Sequence, residues 1–111
     1  MNDLNNLIDE LWNELENKVR TKDGIPEKTF TTLQTLKAVE ELGEVADMIL
    51  RIWHTRKDKK MSEEDIKKNL GKEIADTVIA LFMAAKSQNI DIGKELENKI
   101  KFEIERWKVE S

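Results

Sequence analysis

The chain reads as an all-α protein, a four- to five-helix bundle, on three observations. Gly and Pro are scarce, at four and one of 111 residues. Apolar residues recur at the helical period, and the alternation expected of half-buried strands is absent. Glu, Lys and Leu, all strong helix formers, are among the commonest residues. This length supports one domain over residues 1–111, with a modest core and no room for two.

Each helix can be placed in turn. The first is expected from about Asp3 to Arg20, with Leu4, Leu7, Ile8, Leu11, Leu15 and Val19 on one stripe. Turn chemistry in Lys22-Asp23-Gly24-Ile25-Pro26 ends it. A second helix is expected from about Thr31 to Trp53, its apolar arc made of Val39, Leu42, Val45, Ala46, Ile49, Ile52 and Trp53. The basic connector from His54 to Lys60 follows. Ser62 with Asp65 three residues on has the form of a capping box and opens a third stretch. Gly71 is a point where that stretch could divide. Beyond it, Ile74 to Ala85 is apolar on every side except at Asp76, the pattern of a buried core helix. Ser87 to Ile92 is the next break. A last helix runs to about Lys108, with Ile92, Leu96, Ile100, Ile104 and Trp107 near one face.

Composition excludes several functions. With no cysteine there is no disulfide, thiolate metal site or cysteine nucleophile, which suits a reducing cytoplasm. The acidic, amphipathic start does not resemble a signal peptide. The longest apolar run, about a dozen residues, is too short to span a bilayer. A net charge of −4 with both signs interspersed offers nothing for nucleic acid to bind in bulk.

The chemistry lies in the acids. A carboxylate inside an apolar helix is costly unless it is paired or protonated. Glu73, one turn before Asp76, puts a second negative charge on the same face, with no basic residue beside them in the run. On the second helix Glu40, Glu41, Glu44 and Asp47 cluster on the arc opposite the apolar one. If these helices pack side by side, Glu41, Glu44, Glu73 and Asp76 converge. Oxygen ligands alone favour Mg²⁺, with Mn²⁺ as a substitute, over zinc. Thr77, Ala80 and Ala84 continue the Glu73 face as a strip of small residues that admits a close neighbour. Plainer readings stand beside this one. Glu40, Glu41 and Glu44 fit an ordinary solvated face, and Asp76 could be met by Lys37 or Arg106 as a structural ion pair.

The spacing Glu40-Glu41-Leu42-Gly43-Glu44, a spacer over 45–72, then Glu73-Ile74-Ala75-Asp76 resembles the signature of the MazG-like, all-α nucleoside triphosphate pyrophosphohydrolases. The spacer is at the long end for that family. Leu36-Lys37-Ala38-Val39 is similar to the family's lead-in to the first motif, and Asn89-Ile90-Asp91-Ile92 to its entry into the last helix. The resemblance covers roughly residues 30–107. It implies that Glu41, Glu44, Glu73 and Asp76 hold Mg²⁺, and that Glu40 or Glu44 orients or deprotonates the attacking water. It also implies attack at the α-phosphorus, giving a nucleoside monophosphate and pyrophosphate. Lys99 and Arg106 match the family's phosphate-facing cations. Glu103 replaces its asparagine and could instead pair with Lys99 along the helix. Lys37 and Trp53 are further substrate-binding candidates, Trp53 by stacking on a base. Trp12, Trp107 and Phe30 are weaker ones, because large aromatics at helical spacing are more often core. His54 has no assigned task, and a single histidine argues against a di-iron carboxylate bundle.

Two alternatives remain: another enzyme of the same superfamily, acting on phosphoribosyl-ATP or dUTP, and a non-catalytic helical oligomer or partner-binding protein. A homo-oligomer, dimer or tetramer, is expected in every case, because so few helices cannot bury this much apolar surface alone.

Overall fold

A computed structural model describes the backbone over residues 2–54 and 62–110 and the side chains over 3–52 and 62–109. Those residues form four helices and no strand: α1 (Asn2–Leu15), α2 (Glu27–His54), α3 (Glu63–Ser87) and α4 (Ile92–Glu110). Of the expected basic connector, His54 still belongs to α2 and residues 55–60 fall outside the described residues, as do the side chains of Trp53 and His54.

The helix ends follow local chemistry. A π-helical turn, Glu16–Arg20, extends α1 and is tied by Arg20 donating Nε to Glu16 at 2.8 Å. Gly24 takes the left-handed conformation (φ 66°) that closes the turn before Pro26. The helix α2 starts directly after Pro26, some four residues earlier than the sequence suggests, since Pro favours the first turn. Ser62 caps α3 as expected, its Oγ accepting from the Asp65 amide at 3.1 Å. Gly71 does not divide α3, whose 25 residues run unbroken. Asn89 (φ 59°) turns the chain after α3, and Asp91 caps α4 through the Lys94 amide at 3.1 Å.

The core of the architecture is an antiparallel α2–α3 hairpin. Thr31, near the start of α2, shares a 2.6 Å hydrogen bond with Ser87 at the end of α3, and Gln88 donates to Thr31 at 2.9 Å. From Thr31 to Ile52, the side chains of α2 that are not exposed are Thr31, Gln34, Ala38, Glu41, Val45, Met48 and Ile52. They repeat at alternating steps of three and four, as in a coiled-coil seam. Ile66, Leu70, Glu73, Thr77, Ala80, Ala84 and Ser87 do the same on α3. The small residues among them let the helices approach, so the strip of Thr77, Ala80 and Ala84 foreseen in the sequence is used here.

The helix α1 crosses one end of this hairpin. Lys86 of α3 pairs with Asp9, and Trp12 meets Phe30 edge-to-face with ring centroids 5.8 Å apart. Phe30 is 2% exposed, so it is a core residue and leaves no ring face for a nucleobase. Phe30→Ala should cost about 3–5 kcal/mol, which chemical denaturation would read as a lowered midpoint with the slope unchanged. A cost below about 1 kcal/mol would mean that this end of the hairpin is not packed as described.

Two expectations are corrected. The apolar run of α3 is not a buried core helix: Ile74 is 45% and Leu81 51% exposed, and Asp76 is exposed too. The reason is that α3 has α2 on one side and α1 only at its C-terminal end, with α4 touching it lightly after the turn. The expected bundle is likewise open. The radius of gyration is 17.4 Å, against about 13 Å for a compact domain of this size.

Candidate metal centre

Midway along the hairpin the two seams bring carboxylates together. Ligand oxygens of Glu41, Glu73 and Asp76 lie within 4.8 Å of one another, and so do those of Glu40, Glu41 and Glu44. Glu41 belongs to both groups and joins them. The arrangement follows from helix phase. Glu41 and Glu73 occupy seam positions, while Glu40, Glu44 and Asp76 each precede a seam residue. In an antiparallel pair, positions preceding the seam on either helix fall on the same side. The acids therefore share one side of the hairpin.

This corrects the arc assignment for α2. Glu41 is not opposite the packed surface; it lies in it, half-buried, between Ala38 and Val45. Val39, Leu42 and Ile49 of the expected apolar arc are exposed instead. The α2 sequence carries more than one apolar stripe, and the one α3 chose contains Glu41.

The electrostatic strain concentrates on Glu73, where the sequence pointed to Asp76. Glu73 Oε2 is buried and has no hydrogen-bond donor. Its pKa is pushed up to about 7, first by the neighbouring Glu41 carboxylate, then by Glu44 and by burial. Ionised, these groups offer only acceptors to one another. Among the described residues no Lys or Arg forms an ion pair with Glu40, Glu41, Glu44, Glu73 or Asp76. The ion-pair alternative for Asp76 is thus not realised by Arg106, which pairs with Glu103 at 3.8 Å and stacks on Trp107. A proton or a cation is needed, and an all-oxygen set around an orphaned carboxylate fits a hard divalent ion.

No protein-family model, curated protein or solved structure matches the chain.

Of the expected substrate-binding residues whose side chains are described, Lys37 lies on the acid side and Lys99 and Arg106 do not. Lys37 is exposed on α2, one turn before Glu40 and Glu41. Lys99 pairs with Glu103 at 3.3 Å and sits over Phe102, so the plain i, i+4 pairing is the one present. Both Lys99 and Arg106 ride on α4, which meets α3 only lightly and does not carry them to the acid side. Trp107 is 60% exposed on the same helix. Trp12 lines a polar cleft of about 450 Å³ with Asn5, Asp9, Lys86 and Asn89 at the α3–α4 turn. That cleft is formed by residues distant in sequence, with no motif to announce it. The hairpin is also closed by hydrogen bonds among Thr31, Ser87 and Gln88, with Ser87 the last residue of α3 and not part of the expected break.

Proposed function

We propose that the protein is a Mg²⁺-dependent nucleoside triphosphate pyrophosphohydrolase, in keeping with its resemblance to the MazG-like enzymes. The observation that carries this reading is Glu73 Oε2, buried without a donor among the carboxylates of Glu41, Glu44 and Asp76. Four such groups held together without a basic partner are unfavourable in the free protein and favourable around a divalent ion.

Glu41, Glu44, Glu73 and Asp76 would hold the metal. Bound there, Mg²⁺ (or Mn²⁺ in its place) supplies the positive charge that lets an acidic site accept a triphosphate. The remaining work belongs to the chain. Glu40 and Glu44 are exposed at the edge of the cluster, placed to orient a water and accept its proton as oxygen bonds to the α-phosphorus. The α–β anhydride bond breaks, pyrophosphate leaves, and the nucleoside monophosphate remains. Lys37, and in an assembled form Lys99, Arg106 and Trp53, are the candidates for phosphate and base contacts. The proposed setting is a cytoplasmic homo-oligomer, dimer or tetramer, acting on a nucleotide pool.

One observation favours a second reading, a non-catalytic helical oligomer: Lys99 and Arg106 are engaged with Glu103, away from the acids. A hydrolysis screen over NTPs, dNTPs and phosphoribosyl-ATP separates the two. Monophosphate and pyrophosphate, formed only with Mg²⁺ or Mn²⁺, are the expected products. Nucleoside diphosphate and phosphate would refute attack at the α-phosphorus, and no turnover of any substrate would favour the oligomer.

A further inference from the structure

We propose that the side of the α2–α3 hairpin opposite the acids is the surface on which a second copy of the chain docks. This specifies the homo-oligomer of the proposed function but does not depend on the hydrolase reading.

The surface is defined by helix phase. Residues that follow a seam position, about 100° further round, lie on the side away from Glu44 and Asp76. Along the middle of the hairpin these are Val39, Leu42, Ala46 and Ile49 on α2 and Ile74, Val78 and Leu81 on α3, with Thr32, Thr35, Lys67, Gly71 and Ala85 towards its ends. Both sets keep alternating steps of three and four, the spacing of a helix that packs along its length. The two sets face the same way because the helices are antiparallel. Each helix therefore carries two packing stripes, and the hairpin uses one. The second is left in water, with Val39 63% and Leu42 56% exposed.

Area and shape identify the occupant. Six aliphatic side chains about half exposed offer on the order of 500 Å² of apolar surface, near the top of what monomers carry. Placed against the same face of a second copy, they bury about 1,000 Å², the lower bound for a specific interface. The face is self-complementary: two antiparallel helices with like repeats can interdigitate with their own copy across a two-fold axis. It holds aliphatic and small side chains with no aromatic anchor among these residues, which suits helix-on-helix packing better than capture of a peptide. The 17.4 Å radius of gyration agrees with half of a larger bundle.

Sedimentation equilibrium on the full chain tests the proposal. Wild type should sediment at about 26 kDa, twice the 13.0 kDa chain. Val39→Glu/Val78→Glu should halve that mass, whereas Leu33→Glu, at an exposed leucine on the acid side, should not. A monomeric wild type, a double variant that stays dimeric, or dissociation by Leu33→Glu would overturn it. A second measurement is independent of whether the double variant folds. The chain lacks cysteine, so single nitroxide labels can be placed through Leu42→Cys and Leu33→Cys. The label at 42 should be immobilised and the one at 33 mobile, and the reverse pattern would assign the interface to the acid side.

Discussion

Asp76→Asn should lower pyrophosphohydrolase turnover by on the order of 100-fold or more, since even outer-shell changes around a metal cost 10–100-fold. Asp76 is exposed, so the substitution removes a charge without opening a cavity, and the helical content and assembly of the chain should be unchanged. The loss should therefore appear as weaker Mg²⁺ dependence, partly recovered at high metal concentration. Steady-state kinetics over a Mg²⁺ titration would read it. Full activity in the variant would remove Asp76 from the site. Unchanged metal dependence with reduced kcat would assign it to the water and not to the ion.

The second expected result concerns pH. Glu73 has a folded pKa raised to about 7 by Glu41, Glu44 and burial, whereas in the unfolded chain it titrates near the ordinary 4.5. The folded state therefore holds a proton that the unfolded state gives up between these values. The stability this contributes is fully present below about pH 4.5 and is lost as pH rises towards 7. Without divalent metal, the melting temperature should fall over that interval once the titration of other groups is subtracted. Glu73→Gln, which keeps the shape and supplies an amide donor, should flatten that fall and leave the metal-free variant the more stable protein at pH 7.5. With Mg²⁺ the order should invert. At about a hundredfold excess over Kd a ligand adds roughly 3 kcal/mol to wild type, and the variant should gain far less. Scanning calorimetry with and without Mg²⁺ decides the matter. A wild type insensitive to Mg²⁺, with no pH slope that depends on Glu73, would leave the acids as a solvated face.

These two residues mark how far the site was legible. Both pairs of acids, Glu41 with Glu44 and Glu73 with Asp76, were found from spacing, because residues three apart on a helix share a face wherever that helix packs. Their convergence was conditional on α2 lying beside α3, and it does. The burden of burial was misplaced. The apolar neighbours of Asp76 suggested a buried aspartate, yet Glu73 is the one in the seam. Lys99 and Arg106 were found by resemblance to a motif, and a motif carries no information on where α4 points.

What the sequence determined by itself is local: an all-helical chain, the cap at Ser62, the turn at Gly24, and carboxylates in register along two helices. Each rests on interactions within a few residues, through hydrogen-bond closure, side-chain capping and the 100° step. Only the tertiary structure decided which of two apolar stripes on α2 and α3 would form the seam. That choice places Glu41 and Glu73 inside the packing, leaves Asp76 outside it, and turns Val39, Leu42 and Val78 to solvent. The physical reason is that burial is a property of a pair of surfaces. One helix can carry two stripes of nearly equal hydrophobicity, and its partner's small residues, here Thr77, Ala80 and Ala84, select the one that allows the closest approach.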